Sequence, residues 1–546
     1  MAPGVADYDA VIVGSGINSL AAGALLARAG WRVAILERND YLGGAIKTAE
    51  LTEPGYRHDV FSAWHPLWVG GGAHAILADE LARRGLEYVN TEHPTGTLYP
   101  DGASAFLLRS TDANARELDR HAEGDGVAWR RTVDDFLPNA DLAFGVLSTE
   151  LFSRAGAALG VRAYRRLGLR GLVGFAGAML TSARDWLSAT FRSERAHGLL
   201  APWVLHTGLG PDAAASGFMT KVIGVAVQDG GMPIPRGGGD RLVAALVALI
   251  RDHGGVCETG RDVERVLVED GRAVGVRLTD GETASAAQAV IANVTPTQLY
   301  GRLLDGNAPR GLAEAGTRFR FGRADMQIHF ALSEPPGWDG DERLARTAIV
   351  HVTPGLDGVS RAVNEAERGL LPAEATIVVG QPLTMDPSRA PEGAGLLWIQ
   401  LQELPWHVKG DAAGQIPVGD GRWTDDLRER YADRIQARLE RHIPNLASAI
   451  RSRVVLSPAD LAAADVNLEH GDPYSGSLAL DQNFLWRPFP AQPGHETPVA
   501  RLFQIGASTH PGPGLGAGSG TLVAQHLLRP PLPARLTSRA RGVFAR

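Results

Sequence analysis

An α/β fold is predicted, with one parallel-sheet domain assembled from separated stretches of chain, flanked by a mixed-sheet domain and a helical insertion. Three observations predict it. Over residues 9–47 an apolar strand, a glycine turn, a helix, a second apolar strand and an acidic residue follow one another. A hairpin and further apolar strands fall between residues 225 and 300, and a strand, a glycine-rich turn and a helix come near the end. The expected division is 1–75, 225–300 and 456–546 for the parallel-sheet domain, 76–224 for the helical part and 301–455 for the mixed sheet.

The first unit carries the chemistry. Asp9 to Val13 is an apolar, β-branched run that stops at glycine, and the period then changes to helical across Leu20, Ala21, Ala24, Leu25 and Ala27. Between them lies Gly14-Ser15-Gly16-Ile17-Asn18-Ser19. Gly14 permits the tight turn, and Gly16 lets a pyrophosphate approach the backbone at the positive end of the helix. Ser19 stands where a third glycine usually packs helix on strand. The second strand, Trp31 to Leu36, ends at Glu37, 21 residues beyond Gly16, where a carboxylate accepts hydrogen bonds from ribose hydroxyls. The unit is a Rossmann-like dinucleotide cradle for an unphosphorylated ribose, as in FAD or NAD. Gly43-Gly44 is expected to bring backbone to the pyrophosphate from the other side, or to be a plain turn. His58 and His65, set among aromatics in residues 57–66, read as structural hydrogen-bonders.

From 76 to 224 the pattern is helical. Residues 151–195 hold eight arginines against one aspartate and one glutamate. Such a segment either lies on an anionic membrane surface or is a solvated arginine face on packed helices. Residues 240–251 read as a helix, 254–259 as a strand, and 262–269 with 273–278 as a hairpin about Asp270-Gly271. Ala289 to Ala292 is a further strand. Strands are expected at 326–332, 376–379 and 396–401, with a charged amphipathic helix from Thr424 to His442; this region is a floor or lid for a substrate. The closing unit is the strand 502–507, a turn with six glycines from Gly506 to Gly520, and a helix from 521 to 528. That turn is built for close approach of backbone to a ligand.

Composition sets bounds. The 546 residues suggest two to four domains, and 44% hydrophobic with 21% charged residues is ordinary for a globular protein. A net charge of −7, with no basic domain, argues against general nucleic-acid binding. The one cysteine, Cys257, permits no internal disulfide and no cysteine-based metal site, which fits a reducing cytoplasm. The N-terminus has no basic segment followed by an apolar core, so no signal peptide is expected. No apolar run approaches the ~20 residues that span a bilayer. The expected location is cytoplasmic, with peripheral contact at the inner face of the membrane.

Together, GSGINSLAAGALLARAGWRVAILERNDYLGG, PIPRGGGDRLVAALVALIRDHGGVCETGRDVERVLVEDGRAVGVRLTDGE and LFQIGASTHPGPGLGAGSG resemble, in order, the phytoene-desaturase-like family of FAD-dependent oxidoreductases. That family includes retinol saturases and carotenoid ketolases and lies within the amine-oxidase-type flavoproteins. The resemblance implies a non-covalent FAD. Gly14, Gly16 and Ser19 would hold the pyrophosphate, with Ile17, Asn18 and Arg38 also among the cofactor-binding residues, Glu37 the adenosine ribose, Gly43 and Gly44 the far side, and Val263 the adenine through its backbone. Gly506, Leu515 and Gly516 would flank the pyrimidine edge of the flavin. Ala45 stands where many amine-oxidase relatives have arginine, so phosphate neutralisation falls to Arg38 or Lys47. His510 is an acid or base, or a brace for its loop. No second dinucleotide fingerprint supports a bound NADPH. The implied activity is hydride transfer from a largely apolar, polyene-like substrate to flavin, with oxygen, a quinone or a protein as electron acceptor. The alternatives are an amine or alcohol oxidase, for which Trp64 and Trp486 would supply aromatics although no lysine follows Lys409, a redox-neutral isomerase, and a flavin-bearing interaction protein without turnover.

Overall fold

Tyr8–Val13 is buried from Ala10 onward, because it lies between two parallel neighbours, Val33–Leu36 and the distal half of Thr283–Asn293. The computed structural model describes residues 6–529; residues 1–5 and 530–546 of the expected parallel-sheet domain lie outside the described residues. Val256–Glu258 adds to the edge of Val33–Leu36, and Leu502–Ile505 to the edge of Thr283–Asn293, so five parallel strands come from three distant stretches of chain. Strands buried on both faces read as continuous apolar runs, as residues 10–13 and Val33–Leu36 do. Helix Ile17–Arg28 crosses one face between Asp240–Asp252 and Gly518–Leu527, all three sharing one apolar core. A Cβ at Gly23 would stand 2.8 Å from Ile35 Cδ1, so glycine sets the closest approach of helix to sheet one turn beyond Ser19. Val263–Glu269 and Arg272–Leu278 form the expected hairpin, with φ +48° at Asp270 and +73° at Gly271 in its two-residue turn.

The second sheet runs in the order Ile450–Leu456, Ala324–Leu332, Gly395–Leu404, Ile377–Gly380, Ile349–Val352, Thr95–Leu98, Ser104–Leu107. Its last two strands come from the stretch expected to be helical. Each has only four residues, too few for alternation to show in the sequence, and Pro100-Asp101-Gly102 turns between them. Side-chain alternation splits this sheet into two chemistries. Met326, Ile328 and Phe330, with Leu397, Ile399 and Leu401, pack into an apolar core. The opposite parity, Asp325 and Gln327 with Trp398, Gln400 and Gln402, faces the space between the two sheets.

The helices of 125–230 stand beside this space. Arg154–Leu180 is bent at Gly168 (φ +65°, ψ 177°) and buries only Leu159. Phe152, Val161, Tyr164, Leu169, Val173 and Leu180 are all more than half exposed or close to it. Among the described residues no helix is long and apolar enough to cross a membrane.

Candidate functional site

A single cavity of about 760 Å³ runs from the first glycine turn to the polar face of the second sheet. At one end Gly14 takes φ +82°, and helix Ile17–Arg28 starts at Gly16 with no side-chain cap, its Gly16, Ile17 and Asn18 lying on the cavity lining. The Ser15 amide and hydroxyl both donate to Glu37 Oε2, at 2.8 and 2.7 Å, and the Asn39 amide donates to Glu37 Oε1 at 2.9 Å. These bonds fix a carboxylate that is 6% exposed at the end of its strand. The Gly43 amide donates to Ser15 Oγ at 3.0 Å, so Ser15 ties the acid to the glycine pair. A Cβ on Gly44 would stand 3.1 Å from Gly16 Cα. Bare backbone therefore approaches the same space from both sides.

The C-terminal turn closes this end. Asn18 Oδ1 accepts from Ser519 Oγ at 2.9 Å and from the Gly520 amide at 3.1 Å, and a Cβ on Gly520 would fall 2.0 Å from Asn18 O. Asn293, at the end of its strand, donates from Nδ2 to Ser19 Oγ at 2.9 Å, which gives the serine in the third glycine position a bonding role. The side chain of Asn293 also stands 2.4 Å from where a Gly506 Cβ would be.

Of the residues singled out in the sequence, Gly14, Gly16, Ile17, Asn18, Glu37, Arg38, Gly43, Gly44, Val263, Gly506 and Leu515 line the cavity. Four others stand elsewhere. Ser19 is wholly buried behind the turn. Gly516 faces the backbone of Leu67, whose oxygen is 3.2 Å from its would-be Cβ, because residues 514–516 pack on the turn at 66–71. Lys47 places its amine 4.0 Å from the Tyr41 ring centroid and is off the lining, which leaves Arg38 from that pair. His510 is buried behind the C-terminal turn beside His495 and Glu150, and burial lowers its pKa to about 4, so the ring is neutral. Its backbone carbonyl accepts from His495 Nε2 at 2.8 Å, a bracing contact, and its ring does not line the cavity. The Val263 carbonyl already accepts from Arg302 Nη1 at 2.7 Å. His58 and His65 are buried and their pKa values fall to about 2 and about 4 through burial, consistent with a structural place.

Several lining residues gave no signal in the sequence. Asp465 lies on the nucleotide side, its pKa raised by burial and by the Glu37 charge, and it reaches the site from hundreds of residues away. Trp64 pairs not with Trp486, which is 41% exposed, but edge-to-face with Trp398 at 5.2 Å between centroids. On the sheet wall Asp325 Oδ2 accepts from Gln400 Nε2 at 2.7 Å and Gln327 Nε2 at 3.2 Å, and burial raises the Asp325 pKa to about 8. Gln402 Nε2 donates to Tyr474 Oη at 2.7 Å, which donates in turn to Leu205 O at 2.7 Å.

The pattern of the Flavin containing amine oxidoreductase family matches residues 20–528. The chain belongs to this family. As a flavin containing oxidoreductase it uses FAD, and the match begins within helix Ile17–Arg28, just after the glycine turn. This flavoenzyme is 25% identical to pyridine nucleotide-disulfide oxidoreductase domain-containing protein 2 of Mus musculus, over 96% of this chain and 94% of that one. It is also 25% identical to the neurosporene-forming phytoene desaturase of Cereibacter sphaeroides, over 96% of this chain and 95% of the relative. Its fold is similar to that of an oxidoreductase from Methanosarcina mazei, with a TM-score of 0.61 and 15% identity over 95% of this chain and 99% of the other. The residues present fit FAD: glycine backbone on two sides of the turn, a fixed buried carboxylate for ribose, and a cavity long enough to continue past the C-terminal turn to the second sheet.

Proposed function

We propose that this FAD-dependent oxidoreductase removes hydride from a largely apolar substrate. The observation that carries the reading is the wall beyond the C-terminal turn, built from Phe61, Trp64, Phe136, Phe144, Trp203 and Trp398. The cations on the lining, Arg38, Arg261 and Arg302, stand with the nucleotide residues, and none lies on this wall. Lining of that kind favours an apolar ligand by area removed from water, at about 25 cal/mol per Å². The named likeness to a phytoene desaturase supports the same class of substrate.

FAD supplies the hydride acceptor when bound. The chain positions both partners. Gly14, Gly16, Gly43 and Gly44 hold the pyrophosphate against the N-terminus of Ile17–Arg28, and Glu37 accepts from ribose hydroxyls. Gly506 and Leu515 border the ring system, and the aromatic wall excludes water from the substrate. Asn18 and Ser19 act through their bonds to the C-terminal helix and to Asn293, and Arg38 meets phosphate charge at the cavity rim. The domain division of 1–75, 225–300 and 456–546 against the remainder is part of the same reading.

Peripheral attachment to anionic lipid belongs to it as well. Leu137 and Phe144, 47% and 42% exposed, line the cavity at its helical side, and Arg154–Leu180 next to them presents exposed apolar side chains among Arg162, Arg165, Arg166 and Arg170. An apolar substrate would then pass from lipid to cavity without crossing water.

Anaerobic titration tests the reading. Apolar alkenes should bleach the bound flavin and give products two hydrogens lighter by mass. Bleaching by amines alone would move the assignment to an amine oxidase, and retention of flavin without bleaching by either class would leave a binding protein.

A further inference from the structure

A second cavity, of about 510 Å³, lies between helices Asp425–Glu440 and Leu356–Glu367 and shares no lining residue with the flavin cavity. Helix Asp425–Glu440 packs by Tyr431, Ile435 and Leu439 into the apolar core with Met326, Ile328 and Phe330, on the sheet face opposite to that of Asp325 and Gln327. Arg434, Arg438 and Arg441 recur at i, i+4 and i+7, so they share one side of this helix and its C-cap. That side borders the cavity, and from the other helix Arg361 and Glu365, four residues apart, border it too. The lining thus holds four arginines against two glutamates.

Their charges are unequally answered. Arg434 holds Asp411 by two bonds, Nη1 to Oδ1 at 2.8 Å and Nη2 to Oδ2 at 2.6 Å. Glu365 Oε2 accepts from the Ala373 amide at 3.0 Å, and Glu374 is exposed. Arg361 and Arg441 are exposed as well, so water answers them. Arg438 is only 9% exposed and makes no ion pair among the described residues. Its Nη1 donates to Ala375 O at 2.5 Å, while Nε and Nη2 have no partner among the described residues and are not sealed from the cavity. Burial lowers its pKa, the sign of a cation held out of water without a full counter-charge, and Glu374 and Glu403 act on it without pairing. A cation near a helix C-terminus is ordinary, which suffices for Arg441. It does not account for Arg438, because a buried charge left without a partner is costly.

We propose that this cavity binds a small anion of the diphosphate or phosphate-ester type, with the Arg438 guanidinium as anchor and Arg361 and Arg441 closing on it from the two helices. The planar fork of a guanidinium matches two phosphate oxygens, and three cations call for more than one negative charge. The volume is that of a small-molecule site. This site stands apart from hydride transfer and does not depend on the apolar-substrate reading.

The test is calorimetric titration of the FAD-loaded protein, whose cradle is already filled, with pyrophosphate, inorganic phosphate and acetate in a phosphate-free buffer of low salt. A single pyrophosphate per chain should bind about tenfold or more tightly than phosphate, and acetate should give no signal. Arg438→Gln should abolish that binding with FAD retained. Changing Arg361 and Arg441 together to glutamine, at exposed positions that do not endanger folding, should weaken it about tenfold or more. Arg430→Gln, on the same helix but off the cavity, should match the wild type. Pyrophosphate should also raise the unfolding temperature of the wild type and leave that of Arg438→Gln unchanged. Absence of binding by the wild type, or wild-type affinity in the Arg361 and Arg441 double variant, overturns the site. The double variant decides the matter even if Arg438→Gln does not fold.

Discussion

Ser15 shows how much one residue can organise: its amide and hydroxyl hold Glu37 and its hydroxyl receives a third bond from Gly43, joining the carboxylate at the strand end to the glycine pair. Predictions at this scale separate sterics from charge. In Gly16→Val the Cβ starts 3.0 Å from Asn293 Nδ2 and the branches fill the phosphate approach, so FAD should be absent from the purified protein. Glu37→Gln keeps the shape and weakens bonds worth about 1.5–3 kcal/mol, so FAD should be retained with lower affinity. Heat release and chromatography of the flavin measure both, and equal occupancy in wild type and Gly16→Val would falsify the cradle. Asn18→Ala removes the acceptor for Ser519 and Gly520 and should cost about 1–3 kcal/mol of stability, read by denaturant unfolding. Gly14, Gly16 and Glu37 were legible from sequence because strand, turn and acid are contiguous. Asp465 and Asn293 were not, since their roles exist only once distant strands have been brought side by side.

Among the elements, the strand Ala324–Leu332 carries the clearest lesson about legibility. Its existence was plain from its apolar residues, yet the side chains it turns to the cavity are those between them. Asp325 and Gln327 share the parity that faces the cavity, and the alternation with Met326 and Ile328 was present in the sequence for anyone assigning faces. What the sequence lacked was the pairing with Gly395–Leu404, expected as a strand over 396–401, whose Trp398, Gln400 and Gln402 complete that surface. The helical stretch Arg154–Leu180 yields the prediction for this level. Juxtamembrane basic residues are worth about 1 kcal/mol each near an anionic surface, against a net charge of −7 that salt screens beyond ~8 Å. The wild type should sediment with anionic vesicles at low salt and less at high salt, and changing Arg162, Arg165, Arg166 and Arg170 to glutamine should abolish most of that binding. Indifference to anionic vesicles at low salt would make the segment a solvated helix face.

For the molecule as a whole, buried titratable groups set the pH at which it is most stable. His65, His206, His329 and His510 have pKa values lowered to about 4 and His58 to about 2, in each case chiefly by burial, and His351 is lowered too. The unfolded chain binds protons at these sites below about 6.5, where the folded state does not, so stability is present above that pH and is lost as pH falls toward 4. Burial acts oppositely on Asp325 and Glu403, raised to about 8 and about 7. Their folded forms hold protons that the unfolded chain has released, so stability declines as pH rises through those values. Maximum stability is expected near pH 6.5, measured by urea unfolding at pH 5, 6.5 and 8.5, and Asp325→Asn should flatten the alkaline decline. A monotonic rise from pH 5 to 8.5 would contradict this balance. The clamp between Asn18 and Gly520 has a further consequence, for biosynthesis. The two residues are 502 apart, so at about 5–20 residues per second a ribosome needs some 25–100 s between making the first turn and making the helix that closes on it. Through that interval the nascent lobe has no complete pocket and the strand Thr283–Asn293, once made, waits with an open edge, so flavin loading should be a post-translational event and ribosome-bound chains stalled before Leu502 should carry none.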